Sequence, residues 1–253
     1  MCLILFAHRA HPAYRLVVAA NRDEWFQRPT APAGFWGDAP AVFAGRDLEH
    51  HGTWLGVTTT GRFSAITNFR DPGSHRPDAP SRGRLVSDFL RSSVAPVSYL
   101  ERLRPDAASY NGFSLLVGDG ASLCYFSNRE GEVRSLEPGI YGLSNHLLDV
   151  PWPKIRLGKE RLAGQLDARV DADALLALLD DTLTAPDEEL PSTGVSFEWE
   201  RKLSALRILA DGYGTRSSTA LLIGADGEVC VAERSFDERG RERSAVRERF
   251  AIK

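Results

Sequence analysis

The stretches Leu3-Ile4-Leu5-Phe6-Ala7 and Leu16-Val17-Val18-Ala19-Ala20, echoed far along the chain by Ala220-Leu221-Leu222-Ile223, are apolar at every position. Successive side chains of a strand point to opposite faces, so a strand with one wet face alternates apolar and polar residues. These three do not alternate, and strands of that kind are covered on both faces. The first two flank a polar link containing Pro12, which reads as a β-hairpin starting at residue 2. With the turn centred near residue 11, residue 2 falls opposite residue 20. Asn21, Arg22, Asp23 and Glu24 then emerge just past the strand end, beside the thiol of Cys2.

An antiparallel hairpin covered on both sides needs a second sheet on one face and helices on the other. The chain supplies both. Residues 53–59 and 62–68 flank Thr60-Gly61 as a second hairpin, and further strands are expected at 42–45, 113–117, 122–127, 133–135, 141–144, 215–223 and 228–234. Helical spacing of apolar residues appears at 83–93, 96–110, from Pro151-Trp152-Pro153 onward with Ile155, Leu162 and Leu166 inward, and at 173–183. Residues 28–34, 70–83 and 186–200 read as loops. The economical packing is an α+β fold, a four-layer αββα sandwich of two mainly antiparallel sheets, in one domain over 1–253, with 239–253 a charged C-terminal edge strand or tail.

Composition narrows the function. The 253 residues are 43% hydrophobic and 26% charged, as in an ordinary globular protein. A net charge of −3 gives no reason to expect nucleic acid or an anionic membrane as partner. Apolar runs of about seven residues are too short to span a bilayer, and the first run ends at His8-Arg9 without a cationic segment before it, unlike a secretory signal. Three cysteines, Cys2, Cys124 and Cys230, argue against a disulfide framework and for a reducing, cytoplasmic compartment.

Cys2 is the sharpest chemical feature. Removal of Met1 would leave its thiol one residue from a free α-amine, with pKa values of about 8.5 and 7.7–8.0. A base then sits beside a nucleophile, both matched to neutral pH. Asp23 can accept a hydrogen bond from the amine, Arg22 can support the thiolate or a substrate carboxylate, and Asn side chains at strand ends can donate to an oxyanion. The bland alternative makes Cys2 a small buried hydrophobe on the first strand. His50-His51 lack a carboxylate at metal-ligand spacing and read as a polar loop, so no metal site is expected. Trp25, Phe26, Trp36, Trp54 and Phe69 fall near the same corner, either as core or as the wall of an apolar pocket.

The motifs Met1-Cys2-Leu3-Ile4-Leu5-Phe6, Ala19-Ala20-Asn21-Arg22-Asp23-Glu24, Ala44-Gly45-Arg46-Asp47-Leu48, Gly52-Thr53-Trp54-Leu55-Gly56, Ile66-Thr67-Asn68-Phe69-Arg70-Asp71, Tyr141-Gly142-Leu143-Ser144-Asn145-His146 and Tyr213-Gly214-Thr215-Arg216-Ser217-Ser218-Thr219 together resemble the NRDE, or transport and Golgi organisation protein 2, family. The resemblance implies an N-terminal-nucleophile hydrolase fold. More distantly it is similar to the choloylglycine hydrolase and penicillin V acylase group. It implies Cys2 as nucleophile, Asp23 as partner of the amine, Asn68 and Asn145 as oxyanion or amine-orienting residues, and Arg216 as the late Arg. In the acylases the early Arg precedes the Asp by three residues, whereas Arg22 precedes Asp23 by one. Asn21, Arg22, Glu24, Trp54 and Phe69 are the expected substrate contacts. Two activities fit: hydrolysis of a linear amide C–N bond without a cofactor, or non-enzymatic binding and trafficking of haem or an acyl-CoA or lipid in the same pocket. The expected ligand is a small molecule with an apolar part.

Overall fold

The opening hairpin forms as two long strands, β1 (Cys2–His11) and β2 (Tyr14–Trp25), in a computed structural model that describes residues 2–168 and 170–253. Met1, whose removal the sequence reading invokes, lies outside the described residues. Ile4 pairs with Ala20 and Cys2 with Arg22, not with residue 20 as the sequence suggests. The turn falls at Pro12-Ala13, beyond a register irregularity between His8 and His11, so its centre lies later than residue 11. A slip of two keeps every side chain on its own face but carries Cys2 two residues further along β2.

A second correction concerns residues 21–24, which do not project past a strand end. They lie within β2, because β12 (Tyr213–Gly224) pairs along its other edge, with Asp23 opposite Thr215 and Arg22 opposite Ser217. Alternation therefore splits the four residues between faces: Arg22 shares the face of Cys2, while Asn21 and Asp23 share that of Leu3 and Ala19.

The first sheet runs in the order β10 (Gly139–Leu143), β1, β2, β12, β13 (Glu228–Phe236), β14 (Glu242–Ala251), with the short β11 (Leu209–Ala210) beside β12. The second runs β3 (Thr30–Trp36), β4 (Ala39–Asp47), β5 (Leu55–Thr58), β6 (Phe63–Asn68), β7 (Phe113–Gly118), β8 (Leu123–Ser127), β9 (Val133–Ser135). The pairings in both are antiparallel. The five α-helices among the described residues are α1 (Gly83–Arg91), α2 (Pro96–Leu103), α3 (Pro153–Asp167), α4 (Ala172–Leu178) and α5 (Phe197–Leu203).

Three apolar layers hold the sandwich together. Ile4, Phe6, Leu16 and Val18 meet Phe43, Val57, Phe63 and Leu116 between the sheets. Leu3, Leu5, Val17 and Ala19, one residue out of phase on the same strands, meet Ile155, Leu162, Leu166 and Leu175 of α3 and α4. Val42, Ala44 and Leu115 meet Leu85, Val86, Phe89 and Leu100 of α1 and α2. The uninterrupted apolar runs thus have their cause: each residue faces one of two cores.

Elsewhere the structure departs from the sequence reading. Residues 30–34, part of the stretch 28–34 read as loop, lie in edge strand β3, where Pro32, which has no N–H to donate, falls in the irregular ladder between Ala31 and Gly34. The expected helix over 96–110 gives way after Leu103 to a 3-10 turn containing Pro105. The acidic 186–200 stretch contains the start of α5, capped where the Trp199 amide donates to Ser196 Oγ at 3.4 Å. The charged tail is strand β14, whose alternately exposed, charge-rich face closes the sheet edge. No helix among the described residues is long and apolar enough to cross a membrane.

Candidate functional site

Cys2, Arg22, Asp23, Glu24, Trp54 and Asn68 line one cavity of about 290 Å³ where the two sheets open apart at the start of β1. The far wall is the stretch from His75 to Gly83, together with Asn111. Arg28, Asp47, His50 and Arg82 complete a lining that is mostly charged and polar.

Cys2 is half-buried in the cavity lining. Burial pushes it above the ordinary thiol range and the Asp23 carboxylate adds to this; the Arg22 guanidinium and a hydrogen bond from the Asp23 amide pull it back. Its carbonyl accepts from Ser144 Oγ at 3.2 Å, which ties the first residue of β1 to the loop after β10. Arg22 lies flat on Trp54, 4.2 Å from the ring centroid, and donates to Thr30 Oγ1 at 3.0 Å. Trp54 is pressed in place from behind by Gly45, since a Cβ there would collide with its ring. Glu24 accepts from the Trp25 amide at 2.9 Å; although burial opposes it, that bond and the Arg22 and Arg28 cations hold its carboxyl below the usual range. Arg28 grips Asp47 Oδ2 at 2.7 and 3.0 Å.

On the opposite face of β2 lies a buried polar cluster. Asp23 Oδ1 accepts from Thr215 Oγ1 at 2.7 Å, and that hydroxyl accepts from the Ile208 amide at 2.9 Å. Burial raises the Asp23 carboxyl against the pull of the Lys154 cation and the Thr215 hydrogen bond. Lys154, at the second residue of α3, is 2% exposed and donates to the Leu203 carbonyl at 2.9 Å. Burial pushes its ammonium down to about 8, with Asp23 opposing. Arg70, just past β6, donates to Glu200 Oε2 of α5 at 2.6 Å, both side chains being 4% exposed. Glu200 also accepts from the Thr193 amide and hydroxyl.

The predicted residues divide accordingly. Cys2, Asp23, Asn68, Arg22, Glu24 and Trp54 meet at the cavity. Asn145 is fully buried beside it; its Nδ2 donates to the Asn68 carbonyl at 3.0 Å and its own carbonyl accepts from the Arg70 amide at 2.8 Å. It fixes where Asn68 stands and does not line the cavity. Arg216 sits where the β2–β12 register shifts, donates to the Trp25 and Arg28 carbonyls, and lines a separate cavity on the other side of Trp54. Asn21 is turned toward the helices and donates to the Leu179 and Leu206 carbonyls at 3.3 and 2.8 Å. Phe69 packs on His146 with centroids 4.6 Å apart. Of the other aromatics, Trp36 is in the outer core and Trp25 is half-exposed against Tyr213.

Lys154, Arg70, Glu200, Arg28 and Arg82 were not singled out from sequence. Lys154 had a signal: it stands four residues before Gly158 on the stripe that continues through Leu162 and Leu166, where only an apolar residue is expected. Arg70 and Glu200 had none, as their pairing joins segments 130 residues apart. No group of three or more His, Cys, Asp or Glu among the described residues is placed to hold a metal.

A family model described as Transport and Golgi organisation 2 matches residues 1–238. A Transport and Golgi organization protein 2 homolog of Bos taurus is 39% identical over 258 residues, covering 93% of each chain. Transport and Golgi organization protein 2 of Drosophila melanogaster is 30% identical, with 93% of this chain and 92% of that one covered. Among solved structures, a mutant conjugated bile acid hydrolase from Clostridium perfringens superimposes with a TM-score of 0.55 at 8% identity, over 100% of this chain and 97% of that one. That likeness is one of fold: the αββα sandwich of N-terminal-nucleophile hydrolases.

Proposed function

The chain belongs to the Transport and Golgi organisation 2 family, and from that premise we propose that its Cys2 cavity hydrolyses a linear amide C–N bond by N-terminal-cysteine chemistry. The observation that carries the reading is the meeting of Cys2, Arg22, Asp23 and Asn68 in the lining of one cavity.

In this reading Met1 is removed and the α-amine of Cys2 is the base. It takes the thiol proton as Sγ attacks the carbonyl carbon, which suits a thiol whose own pKa is raised and which needs a neighbouring acceptor. The Asn68 side chain donates to the oxyanion, and Asn145 holds Asn68 in register. Collapse breaks the C–N bond, and the leaving amine takes the proton held on the α-ammonium. Water then attacks the thioester carbonyl, releasing the carboxylic acid and returning the thiol. Asp23 orients the amine from below. Arg216, fastened to the Trp25 and Arg28 carbonyls, steadies the end of β2.

A second reading, binding and trafficking of haem or an acyl-CoA, is favoured by one observation. Arg22 and Arg82 both line the cavity, and neither joins an ion pair among the described residues, so both can meet an anionic ligand. Against haem stands the volume, about 290 Å³, at the small end of the roughly 300–1,000 Å³ of ligand sites.

Two experiments decide. Cys2→Ala, assayed beside the wild type on a panel of short acyl anilides, should abolish turnover; equal turnover in both proteins refutes the nucleophile. Haemin and an acyl-CoA titrated into the wild type and an Arg22→Ala/Asp23→Ala double variant should distinguish carriage from catalysis. If neither ligand binds more tightly than to an unrelated protein, the carrier reading fails.

A further inference from the structure

The row of paired residues that begins at Cys2 continues past the Cys2 cavity. Cys2 pairs with Arg22, Arg22 with Ser217, Ser217 with Ser235 and Ser235 with Ser244, one position on each of β1, β2, β12, β13 and β14. Directly opposed residues share a face. This face meets the second sheet, since Glu233, two residues before Ser235, accepts from the Ala33 amide of β3 at 2.8 Å. Cys2 and Arg22 line the first cavity, and the three serines line a second one of about 270 Å³. With strands about 4.8 Å apart, the Ser217 backbone stands roughly 10 Å from that of Cys2 along the row.

Small serine side chains leave this trough open, and Trp54 divides it. Among the described residues Trp54 alone lines both cavities. Its ring carries the Arg22 guanidinium 4.2 Å from its centroid, and Arg22 reaches on to Thr30 Oγ1, in the lining of the second cavity. The ring is seated against Gly45, where a Cβ would collide with it. The chemistry behind the ring suits an anionic group. Arg216 and Arg243 line the second cavity and neither joins an ion pair among the described residues, while the buried Ser217 Oγ has no hydrogen-bond partner. Glu233, the carboxylate in that lining, already accepts at both oxygens, from the Ala33 amide and the Thr219 hydroxyl, and burial raises it toward its neutral form.

We propose that Trp54 is a specificity-determining wall: with Arg22 it splits one inter-sheet trough in two, and so limits the Cys2 site to short acyl groups and shuts out longer ones with an anionic far end. The inference rests on the reading of Cys2 as the reacting group. An acyl group bound at Cys2 and laid along the row meets the Arg22–Trp54 stack before it reaches Ser217, and the cations that would hold a terminal carboxylate lie behind that stack.

The test is the rate at which Cys2 is alkylated, in the full chain, by maleimidopropionate and by maleimidohexanoate, read on the Cys2 peptide by mass. The two probes share a maleimide and a carboxylate and differ in the tail between them, so the ratio of their rates reports tail length. In the wild type the ratio of longer to shorter should match that of free glutathione, because the longer tail finds only solvent. Trp54→Ala should raise the ratio about ten-fold, the worth of one charge-assisted contact. Trp54→Leu, which keeps an apolar contact with the core between the sheets, should raise it in the same direction. Ser235→Phe in the Trp54→Ala background should fill the second cavity and return the ratio to the wild-type value. N-hexylmaleimide, which has no carboxylate, should gain less than about two-fold from Trp54→Ala. A wild-type ratio already about ten-fold above that of glutathione overturns the inference. So does a Trp54→Leu protein that is folded by circular dichroism yet keeps the wild-type ratio, a gain that survives Ser235→Phe, or an equal gain for N-hexylmaleimide. No turnover is measured, so an inactive protein with these rates would refute amide hydrolysis and leave the wall standing.

Discussion

Replacing Lys154 by Met should stabilise the protein at neutral pH. The ammonium falls from an ordinary 10.5 to about 8 on folding, and at about 1.36 kcal/mol per pH unit that displacement is a cost of about 3 kcal/mol for keeping the charged form buried. Met fills a similar volume without the charge. It also leaves the Leu203 carbonyl without its donor, a loss of about 1 kcal/mol. The net expectation is a gain of about 2 kcal/mol at pH 7, read as a higher urea midpoint with an unchanged slope. The pH dependence has a definite sign. Between about 8 and 10.5 the unfolded chain holds the Lys154 proton and the folded protein does not, so wild-type stability gains with rising pH in that window. Below 8 both forms are protonated and the penalty is constant. The raised thiol of Cys2 and the raised tyrosines pull the other way in alkali. The quantity to plot is therefore the difference between variant and wild type, in which the titrations of groups remote from Lys154 cancel. That difference should be flat below pH 8 and shrink above it. A variant less stable than the wild type at pH 7, or a difference independent of pH up to 10, would refute the reasoning.

Arg70→Met should destabilise by about 3–5 kcal/mol, because it strands the Glu200 carboxylate in a site only 4% exposed; chemical denaturation measures it. Asn21→Ala should cost about 2 kcal/mol through its bonds to the Leu179 and Leu206 carbonyls and Ser218, yet leave Cys2 alkylation at pH 7 unchanged, because Asn21 faces the helices. Gly45→Ala should drive the Trp54 ring off its seat against Arg22, costing about 1–3 kcal/mol and lowering the melting temperature.

The layers of the fold were legible because burial on both faces writes itself into sequence: Leu3 to Ala7 could be apolar throughout only if each side chain had a core to enter. Register was less legible. The apolar pattern fixes which face a residue takes but not how far along its partner it pairs, and Cys2 sits two residues from its expected place because the turn came later than the apolar runs suggest. The cavity was half visible. Arg22, Asp23 and Asn68 stand at strand positions that the pattern reaches, and they meet Cys2. Arg216 and Asn21 belong to the same motifs, but their side chains are spent on backbone carbonyls, a distinction that depends on which carbonyls the loops bring near. The Arg70–Glu200 pair was invisible, since nothing local marks two charges so far apart in the chain as partners.

The intact mass of the purified protein tests the central claim most directly, because the proposed base exists only if Met1 has been removed. The account predicts a chain that begins at Cys2. A chain that retains Met1 in full would contradict it.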